Sequence, residues 1–338
     1  MKMNSLVCSQ PGKFEYSYID RPVLAPDHAI IKIKRIGICG TDLHAFQGTQ
    51  PFFNYPRILG HELSGELIEA DNAPGFVIGE TVTFIPYINC ENCLACNSGK
   101  PNCCVNLKVC GVHTDGGMVE YFSIPSRLLI HGEGLSYDEL ALVEPLAIGA
   151  HGIRRAAIIP NEFVLVIGAG PIGLGTMEFA RIAGARVIAM DVNDTRLAFC
   201  KNKLGFQFTV NALLNAKEQI SAITGGEMPT VVIDATGSQK AINSAFQYMA
   251  HGARILLIGL QKEEISFSHP EFHKREGTLM SSRNATRADF EHVIDSIKKG
   301  LINPLSYITH RAAFDALSVD FKSWLDPNSG VIKAIASL

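Results

Sequence analysis

The sequence predicts an α/β protein: a β-rich N-terminal domain over residues 1–149, a doubly wound parallel sheet over residues 150–283, and a closing segment over residues 284–338. Three observations predict it. The first part is rich in Gly, Pro, His and Cys and carries short alternating apolar runs. The second alternates short apolar runs with helical stretches. A glycine-rich turn follows the first of those runs. At ~150 residues per domain, a chain of 338 residues holds two domains, and a ligand site at their seam is the default expectation.

The elements follow in order. Ala29–Ile36 and Gly65–Ala70 alternate as half-buried strands do. Phe163–Ile167 is a continuous apolar run, then come the glycine turn, a helical stretch ending near Gly184, and a second run at Arg186–Met190, which together make a βαβ unit. Further strands are expected at Gln207–Val210, Val231–Ala235, Arg254–Ile258 and Thr278–Met280, with helical segments between them, including Ala241–Met249. Arg287–Gly300 reads as an amphipathic helix with Phe290, Val293, Ile294 and Ile297 on one face, and Val331–Ala336 as a last strand.

Composition narrows the function. With 47% hydrophobic and 19% charged residues, disorder is excluded as the main state. A net charge of -3 without any Lys/Arg run makes nucleic acid and anionic membranes poor partners. No apolar stretch reaches the roughly 20 residues that span a bilayer, and Met1–Gly12 lacks the apolar core of a signal peptide, so a cytoplasmic protein is expected. Nine cysteines, four of them bunched, favour thiolate metal ligation over a disulfide framework.

The turn is Gly168-Ala169-Gly170-Pro171-Ile172-Gly173. Gly168 suits the tight turn, Gly170 lets backbone approach a pyrophosphate, and Gly173 allows helix and strand to pack closely. The helix N-terminus that follows favours negative charge. Asp191 ends the second strand 18 residues after Gly173, where a carboxylate accepts hydrogen bonds from a ribose and repels a 2′-phosphate. NAD is therefore expected over NADP, with Arg196 nearby softening the preference, and Gly259 is a further expected cofactor position. The plainer alternative is a turn whose glycines serve packing, with Asp191 a solvated strand end.

Cys90, Cys93 and Cys96 follow a C-x2-C-x2-C rhythm and Cys104 comes eight residues later, so four thiolates can enclose one structural zinc. Cys103 competes for the fourth place. The loop's cations are chiefly Lys100 and Lys108, beside Glu91, too few for a nucleic-acid zinc ribbon. Reduced cysteines without metal are the alternative. A second, dispersed set comprises Cys39, His61, Glu62 and Glu144. Taken singly, Cys39 reads equally as a core thiol, His61 as a buried imidazole and the glutamates as surface or cap residues.

Together these motifs resemble the zinc-dependent medium-chain dehydrogenase/reductase family, which includes alcohol, sorbitol and threonine dehydrogenases, along essentially the whole chain. The resemblance implies a GroES-like catalytic domain, formed by the N-terminal part and the C-terminal tail, around an inserted Rossmann domain. It implies two zinc ions per subunit: a structural ion on Cys90, Cys93, Cys96 and Cys104, and a catalytic ion on Cys39 and His61. Glu62 is then a ligand or exchanging near-ligand. Glu144 occupies the place where alcohol dehydrogenases often carry a second cysteine, as in the polyol and sugar branch, binding zinc directly or through water. Thr41 and His44 match the positions of a proton relay, although His44 reads equally as a surface residue. Relatives are usually dimers or tetramers joined through the cofactor domain.

A closer resemblance is to sugar-acid dehydrogenases of the L-galactonate oxidoreductase type. It rests on the segments Gln47–Phe53, Gly111–Gly117, Pro270–Lys274 and Ser282–Thr286. The expected reaction is zinc-assisted oxidation of a secondary hydroxyl, with hydride passing to nicotinamide. Arg283 is the first candidate to grip a substrate carboxylate and His113 the second, each with a structural role as its alternative. Other readings are a threonine or other secondary-alcohol dehydrogenase, and a zinc- and NAD-binding sensor without turnover.

Overall fold

The computed structural model describes residues 1–50, 53–326 and 328–338. The chain divides into two compact units, one made of residues 1–144 and 286–338, the other of 145–285. Both boundaries lie a few residues from those expected from texture. The first falls inside the helix Val143–Ala156, where no change in composition could mark it.

The discontinuous unit is built on one long strand, His28–Ile38. On it pair Glu62–Ala70, Tyr121–Pro125 and Lys333–Ser337, all antiparallel, and Ile308–Ala313 then lies parallel to the last of these. Thr81–Phe84 and Leu129–His131 extend the other side. A separate three-stranded sheet joins the N-terminal hairpin, Lys2–Gln10 with Lys13–Asp20, to Arg57–Ile58.

Register in the larger sheet does more than build a core. Gly37 stands opposite Glu62, and Ile38 opposite Ala334, so the first strand ends just before Cys39 with Glu62 on one side and Lys333 on the other. A Cβ on residue 37 would come within 2.2 Å of the Glu62 carboxylate, so only glycine there leaves room for it. Cys39 then caps a short helix, Gly40–Gln47. That helix is anchored by Phe46, which is buried, stacks on Phe14 with centroids 4.9 Å apart and packs at a tilt against Phe321 at 5.4 Å.

The second unit is a six-stranded parallel sheet in the spatial order Phe208–Asn211, Arg186–Asp191, Phe163–Ile167, Val231–Asp234, Arg254–Leu257 and Thr278–Ser281. This is the doubly wound order with its reversal beside Phe163–Ile167, where such sheets bind nucleotides. Leu165, Ile167, Ile188, Val232 and Ile255 form its buried core, which is why these strands read as unbroken apolar runs.

The expected helix at Ala241–Met249 is Gln239–Ala245 instead. Beyond it Phe246, Tyr248 and Met249 are all buried, and residues 246 and 248 cannot share one helical face, so the chain turns to bury both. The amphipathic helix is present as Arg287–Lys298, with Phe290, Val293, Ile294 and Ile297 buried.

Candidate active site

Three donors of different chemistry converge in the first unit. One ligand atom each from Cys39, His61 and Glu62 lies within 4.8 Å of the others. Cys39 is partly exposed while His61 and Glu62 are buried. Sulfur, nitrogen and oxygen in one small space is a donor set that suits zinc with an open position. The fit rests on that donor chemistry; the buried His61 Nδ1, which has no hydrogen-bond partner, turns toward Asp42.

Around the three donors is a shell of buried polar groups. Asp42 is 1% exposed, and it accepts the Cys39 N–H at 3.0 Å and the Gly60 N–H at 3.2 Å. Its Oδ1 lies 3.7 Å from His61 Nδ1, near enough to orient the ring electrostatically. Burial alone would push the His61 imidazole down, but the negative charges of Asp42, then Cys39, then Glu144 hold it well above its ordinary value. Burial pushes Asp42 up, against the pull of His61 and the two backbone donors.

Lys333, 2% exposed, donates to both oxygens of Glu62, at 2.7 and 2.5 Å, and to the Ile38 carbonyl at 3.0 Å. Burial would lower this ammonium, yet Glu62 opposite keeps it above the usual lysine range. Glu144 is buried close by and accepts the Tyr87 hydroxyl proton. Burial pushes its carboxyl up to about 7, with His61 pulling down and Glu62 pushing up. Glu144 does not join the 4.8 Å cluster.

Asp42, Tyr87 and Lys333 were not picked out from the sequence. Asp42 had a local signal: an acid three residues after a helix cap closes a capping box. Lys333 had another, a lone cation at the head of a strand whose next three residues are apolar. Tyr87 had none.

Cys90, Cys93, Cys96 and Cys104 form the second cluster. The Cys93–Cys96 and Cys90–Cys104 sulfurs are 3.5 and 3.4 Å apart. Tetrahedral Zn–S bonds of about 2.3 Å would place sulfurs about 3.8 Å from each other, so the lobe fits zinc with little adjustment. Cys104 is buried and belongs to the cluster, whereas Cys103 is exposed. Backbone N–H groups of Cys96 and Val105 draw the Cys93 thiol down to about 6, in favour of thiolate.

In the second unit Gly168 adopts φ +102°, which glycine alone takes without strain. A Cβ on Gly173 would sit 1.8 Å from the Gly168 carbonyl, whereas one on Gly170 would meet only the Arg196 guanidinium, 4.0 Å away. The middle glycine thus faces open space, with a cation beside it, at the N-cap of the helix Pro171–Ile182 that Pro171 and Ile172 begin. Asp191, 8% exposed, accepts the Ala169 N–H at 2.6 Å and the Asn193 N–H at 2.9 Å. A carboxylate so held keeps lone pairs for further donors. Gly259 packs on the Gly237 turn, where a Cβ would be 2.1 Å from the Gly237 nitrogen.

The remaining candidates are more dispersed. Thr41 and His44 share a face of the helix capped by Cys39, Thr41 half-buried and His44 exposed, with His44 Nδ1 3.2 Å from the Thr49 hydroxyl. His113 lies on an exposed turn and accepts the Val109 N–H at 3.0 Å. Arg283 is exposed, in the second unit, just after the strand Thr278–Ser281. Of the segment Gln47–Phe53, Pro51 and Phe52 lie outside the described residues.

Residues 25–133 match the alcohol dehydrogenase GroES-like domain family, and residues 171–299 match the zinc-binding dehydrogenase family. L-galactonate-5-dehydrogenase of Escherichia coli K12 is 42% identical over 334 residues, covering 98% of each chain. The solved alcohol dehydrogenase RspB of Escherichia coli CFT073, complexed with NADH, superposes with a TM-score of 0.92 at 30% identity, covering 100% of this chain and 99% of its own. A zinc-binding dehydrogenase of Sinorhizobium meliloti, bound to NADP, gives 0.90 at 27% identity, with both chains covered at 100%.

Proposed function

Since this chain belongs to the zinc-type medium-chain alcohol dehydrogenase family, we propose that it oxidises a secondary hydroxyl of a sugar acid, L-galactonate or a related hexonate, with NAD as the hydride acceptor. The observation that carries the proposal is the convergence of Cys39, His61 and Glu62 in a chain so similar to a hexonate dehydrogenase. Zinc there would supply Lewis-acid polarisation of the substrate hydroxyl, and NAD would take the hydride as CH–OH becomes C=O.

The chain's own residues do the rest. Cys39 and His61 hold the ion, with Glu62 or Glu144 completing its surroundings, and Asp42 aims the imidazole. Thr41, half-buried, and His44, exposed, lead the hydroxyl proton outward along one face of their helix. Arg283, with His113 as a second candidate, offers the donors that a substrate carboxylate requires. Cys90, Cys93, Cys96 and Cys104 hold the structural ion.

The second unit binds the dinucleotide, its pyrophosphate against Gly170 and the helix N-terminus beside Arg196. Asp191 accepts from the ribose hydroxyls. Asp191→Ala is expected to weaken NAD about 10- to 100-fold, the value of a hydrogen bond to a charged group, and NADP far less. Titration of both cofactors checks this, and an unchanged ratio of their affinities would contradict the ribose role.

We further place the protein in the cytoplasm as a homodimer or homotetramer. Its nine cysteines are free, and among the described residues no helix is long and apolar enough to cross a membrane. The edge strand Thr278–Ser281 exposes Leu279 and offers unpaired backbone to a second copy.

The test of function is a panel of L-galactonate, L-gulonate, L-idonate, sorbitol, galactitol and L-threonine, each with NAD and zinc-loaded protein. NADH forms fastest with a hexonate. A preference for L-threonine would move the substrate to the hydroxy amino acids. No NADH with any compound, zinc being present, would favour a sensor without turnover.

A further inference from the structure

Two buried carboxylates stand near the Cys39–His61 pair, and they are restrained differently. Glu62 gives both oxygens to Lys333, yet still lies within the donor cluster. Glu144 is near enough for the charges of His61, Glu62 and Lys333 to act on it, but lies outside that cluster, with one oxygen engaged by the Tyr87 hydroxyl.

Tyr87 is itself firmly held. It is 4% exposed, and its ring meets the fully buried Phe290 edge-on, with centroids 6.3 Å apart and planes at 76°. Its backbone forms the strand Tyr87–Ile88, paired with Lys108–Val109, and these two strands bracket the cysteine lobe that begins at Cys90. The hydroxyl that reaches Glu144 is thus fixed from the helix Arg287–Lys298 on one side and from the thiolate lobe on the other.

We propose that Tyr87 is a positioning residue that keeps Glu144 an outer carboxylate. Its hydrogen bond holds Glu144 back from the Cys39–His61–Glu62 donors and leaves the second oxygen to accept a hydrogen bond from the water or substrate hydroxyl in the open position. The site then has three inner donors and one outer acceptor. Without the hydroxyl, a buried carboxylate with acceptor capacity to satisfy would be free to turn toward an ion held by Cys39 and His61, and would then compete with substrate. This inference rests on the proposed zinc chemistry of Cys39 and His61.

The test is the rate at which a chelator strips the more labile zinc from wild type, Tyr87→Phe, Glu144→Gln and the double variant. Tyr87→Phe keeps the ring against Phe290 and removes only the hydroxyl. It is expected to release that zinc about tenfold more slowly, opposite to the usual loss when an outer partner is removed, and to raise KM for the hexonate more than it lowers kcat. The double variant returns to the rate of Glu144→Gln, because without the carboxylate there is nothing for the missing hydroxyl to release toward the ion.

Release from Tyr87→Phe that is unchanged or faster overturns the proposal. So does a double variant that keeps the slow release of Tyr87→Phe, which would show that Glu144 does not carry the effect. Wild-type protein that carries zinc only in the cysteine lobe overturns the proposed function itself, and is distinguished by the absence of a labile ion in every variant.

Discussion

Cys39→Ser is expected to lower NAD-dependent turnover about a thousandfold or more, because it removes a thiolate donor from an ion asked to supply several kcal/mol of polarisation. The fold should survive. Cys39 is the N-cap of the helix Gly40–Gln47, and serine is among the residues that N-cap positions prefer, so the local backbone loses nothing. Far-UV circular dichroism should match wild type, while metal analysis should show one zinc fewer per chain, the cysteine lobe remaining filled. Full turnover in the serine variant would remove Cys39 from the chemistry. Loss of both ions would mean that the two sites are not independent.

Lys333→Met is expected to cost about 3–5 kcal/mol of stability, since it leaves the buried Glu62 carboxylate without its partner. Adding Glu62→Gln should recover most of that loss, because the unpaired charge rather than the missing contact is what destabilises. Differential scanning calorimetry of the two variants would separate these effects, and a lysine variant that melts with wild type would show the pair to be idle. The pH dependence has a definite sign. The ammonium is held above its ordinary value of 10.5, so the pair's contribution is intact throughout the neutral range and is lost only as pH rises through the still higher folded value.

The two units differ in how far their sequence reveals them. In the nucleotide unit every defining feature is local: Phe163–Ile167, Gly168, Gly170, Gly173 and Asp191 fall within thirty residues and form one βαβ unit. Its errors lie at element ends, as at Phe246–Met249, where burial in the sheet core outweighs helical continuation. The other unit is assembled by pairing across long stretches of chain. Lys333 meets Glu62 across 271 residues, and Tyr87 meets Glu144 across 57, so no periodicity or spacing connects them. The donors Cys39, His61 and Glu62 came together through family resemblance, and the register of Gly37 against Glu62 supplies the physical reason.

Asp42 stands between these cases. The capping-box pattern after Cys39 was readable, but its second use, facing His61, depends on the Gly60 turn that brings the imidazole back to the helix start. Cys103 and Cys104 could not be separated by spacing. Burial separates them: one thiol turns inward to the other three sulfurs while its neighbour points to solvent.

Anomalous scattering at the zinc edge, from crystals of enzyme shown to reduce NAD, tests the account at its root. Two peaks are predicted per chain, one inside the four-cysteine lobe and one bonded to Cys39 Sγ and the His61 imidazole. Active enzyme with a single peak, confined to the lobe, would contradict it.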